Sequence, residues 1–186
     1  KMKALLDARR TPKTIIMTVN AGPINREHWV QDLNVGGGRV IGEACHFIDL
    51  MRFLIGSPII EHKSMMMGGS SSIEVRNDKV TINLSFLDGS FGAIHYLANG
   101  GSVFPKERVE VFCDDAVLQM DNYRVLKGYG WPGFKKMKLF KQDKGQKACV
   151  KAFIESIVNG KEPPILYEEV MESSRISIEV ANSLSN

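Results

Sequence analysis

A chain of 186 residues with 44% apolar side chains can bury a core of its own and has the size of one domain, so a single domain over 1–186 is expected. Its 24 Lys and Arg against 21 Asp and Glu leave a net charge of +3, mixed along the chain, which gives no ground for a nucleic-acid or membrane partner. No stretch approaches the roughly 18 apolar residues of a membrane span, KMKALLDARR lacks the apolar core of a signal peptide, and Cys45, Cys113 and Cys149, without Cys-x-x-Cys spacing, read as buried thiols of a reducing cytoplasm.

In chain order, MKALLDARR is a short helical pattern ended by Thr11-Pro12, because the residue before a proline leaves the helical region. TIIMTVNAG reads as a strand, and Asn25 to Asp32 as a short helix or loop leading to three glycines. From Arg39 to Ile55 the period is helical, closed by Gly56-Ser57-Pro58. Seven strands then follow: Ile59 to Met67, Val80 to Leu87, Phe91 to Ala98, Arg108 to Cys113, Ala116 to Asp121, Tyr123 to Lys127 and Lys135 to Phe140. Gly68-Gly69-Ser70, Asp88-Gly89 and Asp114-Asp115 mark turns between them, and Asp88-Gly89 is a hairpin signal. Lys135, Lys136, Lys138 and Lys141 alternate with Met137, Leu139 and Phe140 as on the wet side of a strand. Gln146 to Asn159 and Tyr167 to Leu184 are helical, separated by Gly160 and Pro163-Pro164.

Six or seven strands in meander order, with helices before and after, predict an α+β fold: an open, mainly antiparallel sheet with helices gathered on one face, not a doubly wound one. Phe91, Ala93 and Leu97 alternate with Ile94, Tyr96 and Ala98, so this strand is apolar on both faces and its sheet needs a second cover.

The chemistry concentrates in GGGRVIGEACHFIDLMRFLIG, residues 36–56. On a helical wheel, Val40, Ala44, Phe47, Ile48, Met51, Leu54 and Ile55 fill one arc of roughly 100°, the core face. Arg39, Gly42, Glu43, Asp49, Leu50 and Phe53 surround His46 on the other side. This mixture of ionisable and apolar groups, with Gly42 one turn from the imidazole, fits a cleft lining; a solvated surface helix is the alternative. Glu43-x-x-His46 is half of a di-iron carboxylate pattern, but a second such helix is missing, so no metal is expected. The glycines do not follow a buried strand within a βαβ unit, so they are not read as a dinucleotide loop. A glycine-rich helix entry can still present backbone N–H groups to an anion or polar substrate.

GGGRVIGEACHFIDLMRFL resembles the Gly-Gly-Gly … His-x-x-Asp segment of the Gfo/Idh/MocA oxidoreductases. The likeness continues through Val19-Asn20-Ala21-Gly22, GAIHYLANG, FPKERVEVF, the QDKG before the penultimate helix and Pro163-Pro164-Ile165. Within that family it is most similar to the branch in which this unit follows a zinc-alcohol-dehydrogenase-like half. The resemblance implies a glyceraldehyde-3-phosphate dehydrogenase-like C-terminal domain, preceded in the full protein by a Rossmann domain that binds NAD or NADP and supplies a Glu-Lys-Pro lysine. The chain has no Rossmann fingerprint and no Glu-Lys-Pro, and reads as the second domain alone: the substrate-binding half of a sugar dehydrogenase, with no cofactor expected on the fragment itself, and a homodimer or homotetramer paired through its sheet face. A non-catalytic ligand sensor on the same fold is the rival reading.

Carried over by position, His46 matches the histidine that contacts the reacting hydroxyl or carbonyl, where it would assist the lysine of the other domain. The family's aspartate one turn earlier is Gly42 here, so Glu43 beside it is the candidate replacement and the second catalytic candidate. Asp49 matches the second acid, as a substrate contact or a brace for the helix. Asn20, Arg39, Asn99 and Lys106 are candidate contacts to substrate hydroxyl or phosphate groups at loop ends, and Gly37 and Gly38 are expected near the cofactor. His28, His62 and His95 are read as structural or surface groups.

Overall fold

The computed structural model describes residues 1–69 and 75–184. Eight strands form one sheet: β1 (Thr14–Asn20), β2 (Ile59–Met66), β3 (Lys79–Phe86), β4 (Phe91–Leu97), β5 (Glu107–Cys113), β6 (Ala116–Asp121), β7 (Val125–Tyr129) and β8 (Lys136–Lys138). The helices are α1 (Met2–Leu6), α2 (Cys45–Ile55), α3 (Gln146–Val158) and α4 (Tyr167–Ser183), with a 3-10 turn at Trp29–Gln31 and a π-helical turn at Val40–Ala44 that leads into α2.

The strand order is β2-β3-β4-β1-β5-β6-β7-β8. The expected meander is therefore interrupted: β1 lies between β4 and β5, parallel to β4 and antiparallel to β5. All other pairs are antiparallel, so the sheet is mixed. Ile15, Met17 and Val19 on the inward face of β1 are almost wholly inaccessible, so seating β1 inside the sheet carries its apolar face into the core.

The stripe of the helical unit is buried as its spacing predicts. Val40, Ala44, Phe47, Ile48, Met51, Leu54 and Ile55 all enter one core with Ile82, Leu84, Ile94, Tyr96, Val109, Val111 and Leu118 of the sheet. Gly56, with φ +78°, caps α2 in the left-handed conformation. The helix α4 packs on α2 and on the edge strand β2. There Arg52 donates from Nε to Glu172 at 2.8 Å, and the other Glu172 oxygen accepts the Ile59 N–H.

The N-terminal segment is an integral part of this fold. Leu6 is fully buried, Arg9 pairs with Asp114 at 3.0 Å and Thr11 donates to the same carboxylate at 2.6 Å. The helical pattern expected through Arg10 stops at Leu6.

Gly89 (φ +85°) ends the three-residue loop of the β3–β4 hairpin, in which its N–H bonds the Phe86 carbonyl at 3.0 Å and the Phe86 N–H that of Ser90 at 2.9 Å, whereas Asp114 and Asp115 (φ +48° and +57°) close the β5–β6 hairpin as a two-residue turn of the primed kind. Asn122 and Tyr123 (φ +54° and +49°) repeat this positive-φ pair between β6 and β7, so Tyr123 belongs to the turn and not to the following strand. Of the turn expected at Gly68-Gly69-Ser70, Ser70 lies outside the described residues.

On the sheet face opposite α2, registered pairing places Phe91, Thr14, Phe112, Val117 and Tyr129 in one row across five strands. Phe91, Phe112 and Tyr129 are exposed there. The double-sided strand read from the sequence is real: Ile94 and Tyr96 are buried against the helices, and Phe91 faces out.

Candidate functional site

The topology itself assembles one end of the sheet. Because β4 runs parallel to β1, both finish at the same end, and residues 98–106 must arch over the tip of β1 to reach β5. Asn20 holds that arch: its Nδ2 donates to the carbonyls of Gly101 at 2.8 Å and Phe104 at 3.1 Å, and its backbone N–H to the carbonyl of Lys106 at 2.8 Å. A Cβ at Gly100 would stand 1.9 Å from Asn20 Oδ1, so only glycine lets the loop lie this close. Asn99 and Lys106 are exposed on the same arch.

The chain leaving β1 is clamped next. Arg39, 1% exposed, donates from Nη1 to the carbonyl of Gly22 at 2.6 Å and pairs through Nη2 with Glu43 at 2.8 Å. Its guanidinium lies over the Tyr96 ring, 5.3 Å from the centroid, and Tyr96 Oη donates to the same oxygen, Glu43 Oε2. Arg39 was expected to face substrate. It is instead drawn inward, because the carbonyls at the end of β1 and the Glu43 carboxylate need a buried donor.

Burial pushes the Glu43 carboxyl up, but the Tyr96 hydroxyl, the Arg39 guanidinium and the charge of Lys106 outweigh it and hold the pKa below the ordinary carboxylate value. Tyr96 is driven the other way, by burial first and then by its bond to Glu43. Glu43 is thus a persistent anion. Both its bonds fall on Oε2, leaving Oε1 of this part-exposed side chain able to accept a hydroxyl.

His46 follows Glu43 by nearly one turn, and its side chain is exposed without a hydrogen-bond partner among the described residues. It stands on an open surface. One cavity of about 130 Å³ is lined by Gly37, Gly38, Arg39, Asn77 and Asn182, among others, and another of about 560 Å³ by Arg26, His28, Gln31, Asp32 and Arg76, among others; His46 lines neither of these. Asp49 turns away from it, accepting from Ser173 Oγ of α4 at 3.2 Å, the bracing alternative for this residue.

The three glycines have steric roles. A Cβ at Gly36 would come within 2.5 Å of the Val30 backbone, while Gly37 and Gly38 adopt φ of +71° and +82°. They let residues 29–31 lie against the helix entry. A Cβ at Gly42 would press on Val30 Cγ2 at 3.1 Å.

Sequence reading missed a second polar cluster beside Lys106. Glu107, 2% exposed, pairs with Lys144 at 2.6 Å, and burial together with the Glu107 charge pushes the Tyr123 hydroxyl up to about 12. Its one signal was a carboxylate in phase with the core residues Val109 and Val111. Of the other histidines, His28 caps the 3-10 turn, His62 pairs with Glu179 at 3.1 Å and His95 bonds Thr81 at 3.1 Å. No group of three potential metal-ligating side chains is present among the described residues, and no described helix is long and apolar enough to cross a membrane.

Known structures share this architecture. The chain is similar to UDP-N-acetylglucosamine 3-dehydrogenase from Acidithiobacillus ferrooxidans (TM-score 0.73, 15% identity, covering 98% of this chain and 57% of that one). It is similar to aldose-aldose oxidoreductase from Caulobacter crescentus (0.75, 16%, 98% and 57%) and to a putative NADPH-dependent oxidoreductase from Desulfitobacterium hafniense (0.73, 18%, 99% and 58%). It therefore spans somewhat over half the length of these relatives. No curated protein matches the chain. The family model described as "oxidoreductase family, C-terminal alpha/beta domain" matches residues 13–186, and with its sheet and helices arranged as in those structures, the chain belongs to the Gfo/Idh/MocA oxidoreductases as their C-terminal α/β domain.

Proposed function

We propose that this domain is the substrate-binding half of an NAD(P)-dependent dehydrogenase acting on a sugar or sugar derivative, as several structural neighbours are named for such substrates. The observation that carries the reading is the free, exposed His46 beside a persistent Glu43 anion on a domain of this family. The imidazole hydrogen-bonds the reacting hydroxyl and holds its proton, while Glu43 Oε1 orients a neighbouring hydroxyl. Asn99 and Lys106, exposed on the arch, contact the polar periphery of the substrate. Asn20, Arg39 and Asp49 act from behind as braces, since each is already bonded to protein groups.

The cofactor supplies hydride chemistry when bound, and the described residues do not suit it. Gly36 is filled by the Val30 backbone and Gly37 and Gly38 border only a small cavity, so no pyrophosphate cradle is present at the helix entry. This supports assigning the dinucleotide to an N-terminal Rossmann portion of the polypeptide. The motif likeness supports a zinc-alcohol-dehydrogenase-like half upstream, and the free cysteines, of which Cys113 is buried as expected while Cys45 is half-buried and Cys149 on α3 is exposed, support a cytoplasmic setting.

The test is hydride transfer by the full-length polypeptide with NAD or NADP and a panel of sugars. His46→Ala is expected to lower kcat about a hundredfold or more with little change in melting temperature, because the side chain is exposed. Near-normal kcat in the variant rejects the role of His46. Cofactor binding without turnover of any sugar makes the protein a sensor.

The same reading includes self-association through the outer sheet face. The row of Phe91, Phe112, Val117 and Tyr129 is an apolar band suited to an identical band on a second copy. Light scattering at micromolar concentration should give a dimer or tetramer, and Phe112→Glu should dissociate it. A wild-type monomer ends the proposal.

A further inference from the structure

Charge that is mixed over most of the chain is not mixed between Arg124 and Lys147. Residues 124–147 hold eight Lys and Arg and a single acidic residue, Asp143, which leaves 16 basic against 20 acidic residues elsewhere. After β8 the chain turns back across the end of the sheet as a strap. The Leu139 N–H bonds the Arg124 carbonyl at 2.9 Å, Gln142 Nε2 donates to the Asn122 carbonyl at 2.9 Å, and the Asp143 N–H to that of Tyr123 at 3.2 Å. Lys144 Nζ then reaches Glu107 at 2.6 Å. These bonds carry the strap from β8 past the β6–β7 turn to the first residue of β5. By the strand directions, this is the end of the sheet at which β1 and β4 finish, so the strap and the arch of residues 98–106 share it.

Most of these cations are not matched within the protein. Lys138 and Lys141 are exposed and make no side-chain hydrogen bond or ion pair among the described residues. Arg124, also exposed, spends only its Nε, on the Leu139 carbonyl at 3.4 Å. Lys144 is neutralised by Glu107, and Asp143 accepts the Gly145 N–H at 2.8 Å. Lys106, the residue before Glu107, is exposed and unpaired among the described residues, and its charge helps to hold the Glu43 carboxyl down. Arg124 and Lys138, then Lys141, then Lys106 thus form a track that leads to Glu43 and His46. From β8 to β5 it crosses three strand spacings, roughly 14 Å. Lysine on an edge strand guards against pairing with another chain, and Lys136 of β8 has that place; Arg124, Lys141 and Lys106 lie off the edge, where that reason does not apply. Like charges held together on a fixed backbone repel one another, and an anionic partner relieves them.

We propose that this track binds an acidic saccharide chain, whose repeated negative groups lie along Arg124, Lys138, Lys141 and Lys106 while its terminal ring reaches Glu43 and His46, a proposal that rests on the sugar-dehydrogenase reading. Two observations favour this occupant. A lone phosphate or diphosphate needs its cations gathered at one point, whereas here they are strung over roughly 14 Å. A single-stranded nucleic acid needs several rings among the cations to stack its bases, and Phe140, 90% exposed, is the one aromatic residue of the strap. A single ring between Lys138 and Lys141 suits the apolar face of one sugar set between charged groups.

Calorimetric titration of the full-length polypeptide with hexagalacturonate, neutral maltohexaose, a single-stranded hexanucleotide and inorganic pyrophosphate tests this. At low salt the acidic hexamer should bind about tenfold or more tightly than each of the other three, and its affinity should fall as salt rises. The double variant Lys138→Glu/Lys141→Glu should lose about tenfold or more of that affinity, and Lys138→Gln/Lys141→Gln a smaller factor. Lys63→Glu, on the opposite edge strand β2, should leave it unchanged. Equal binding of the neutral hexamer, the hexanucleotide or pyrophosphate overturns the proposal, as does wild-type affinity in both double variants. Turnover separates this result from the functional reading. Binding of the acidic hexamer through the track with no sugar oxidised keeps the binding site and rejects the dehydrogenase; oxidation of neutral sugars with no binding of the hexamer does the reverse.

Discussion

The helical unit from Arg39 to Ile55 holds a buried arginine at each end, and the two do different things. Arg52 closes on Glu172, with Glu169 at 3.5 Å, and Glu172 turns its second oxygen to the Ile59 N–H. Both oxygens of Glu172 are matched from within the protein, although Arg52 Nη1 keeps only the longer approach to Glu169, and the product is a weld between α2, α4 and β2. Arg39 is buried more deeply, yet its carboxylate partner Glu43 is 36% exposed and keeps one oxygen open. The lesson is that a buried cation alone does not mark a site. What distinguishes the two ends is whether the anion has any capacity left.

The sharpest way to break this comparison is Arg52→Ala. Removing one member of a buried pair strands the others, at a cost of about 3 kcal/mol; denaturant unfolding should show it, with hydride transfer per folded molecule unchanged. A loss below about 1 kcal/mol would mean the weld is no more than a surface pair. Glu43→Gln is the smaller and more selective change. A carboxyl with a depressed pKa contributes stability above its unfolded value and loses it as pH falls through its folded value. The variant should therefore be less stable than wild type near neutrality, by under about 1 kcal/mol given the solvent screening, and the gap should close below about pH 4. Melting curves across pH read this directly, and a gap that widens in acid would contradict the anion assignment.

Much of this was legible in the sequence because it is local. The seven-residue stripe of the helical unit, the Gly56 cap and the Asp88-Gly89 turn each follow from spacing or a dihedral preference within one element. What was not legible depends on partners far along the chain. Arg39 and Arg52 sit on the polar side of the wheel and are buried only because residues 21–22 and Glu172 arrive there. Tyr96 reads as one more alternating strand residue until the fold brings Glu43 to it. His46 and Glu43 stand as candidates by family likeness and position; the Glu107–Lys144 pair, with β5 to β8 between its members, gave no such sign. The exposure of Phe153 and Ile157 on α3 was equally invisible, since periodicity gives the existence of an apolar face and not its direction.

The insertion of β1 between β4 and β5 governs the order in which the chain can be assembled. The strands β2-β3-β4 and β5-β6-β7-β8 are each joined in sequence order and can form as two separate local sheets. Neither is complete, because β4 and β5 each retain an unpaired edge until the first strand of the chain is recruited between them across a long sequence separation. That closure is the high-contact-order step, and such steps are slow. Until it occurs, the two open edges and the uncovered Ile15, Met17 and Val19 are the points at which one folding chain can capture the β1 of another.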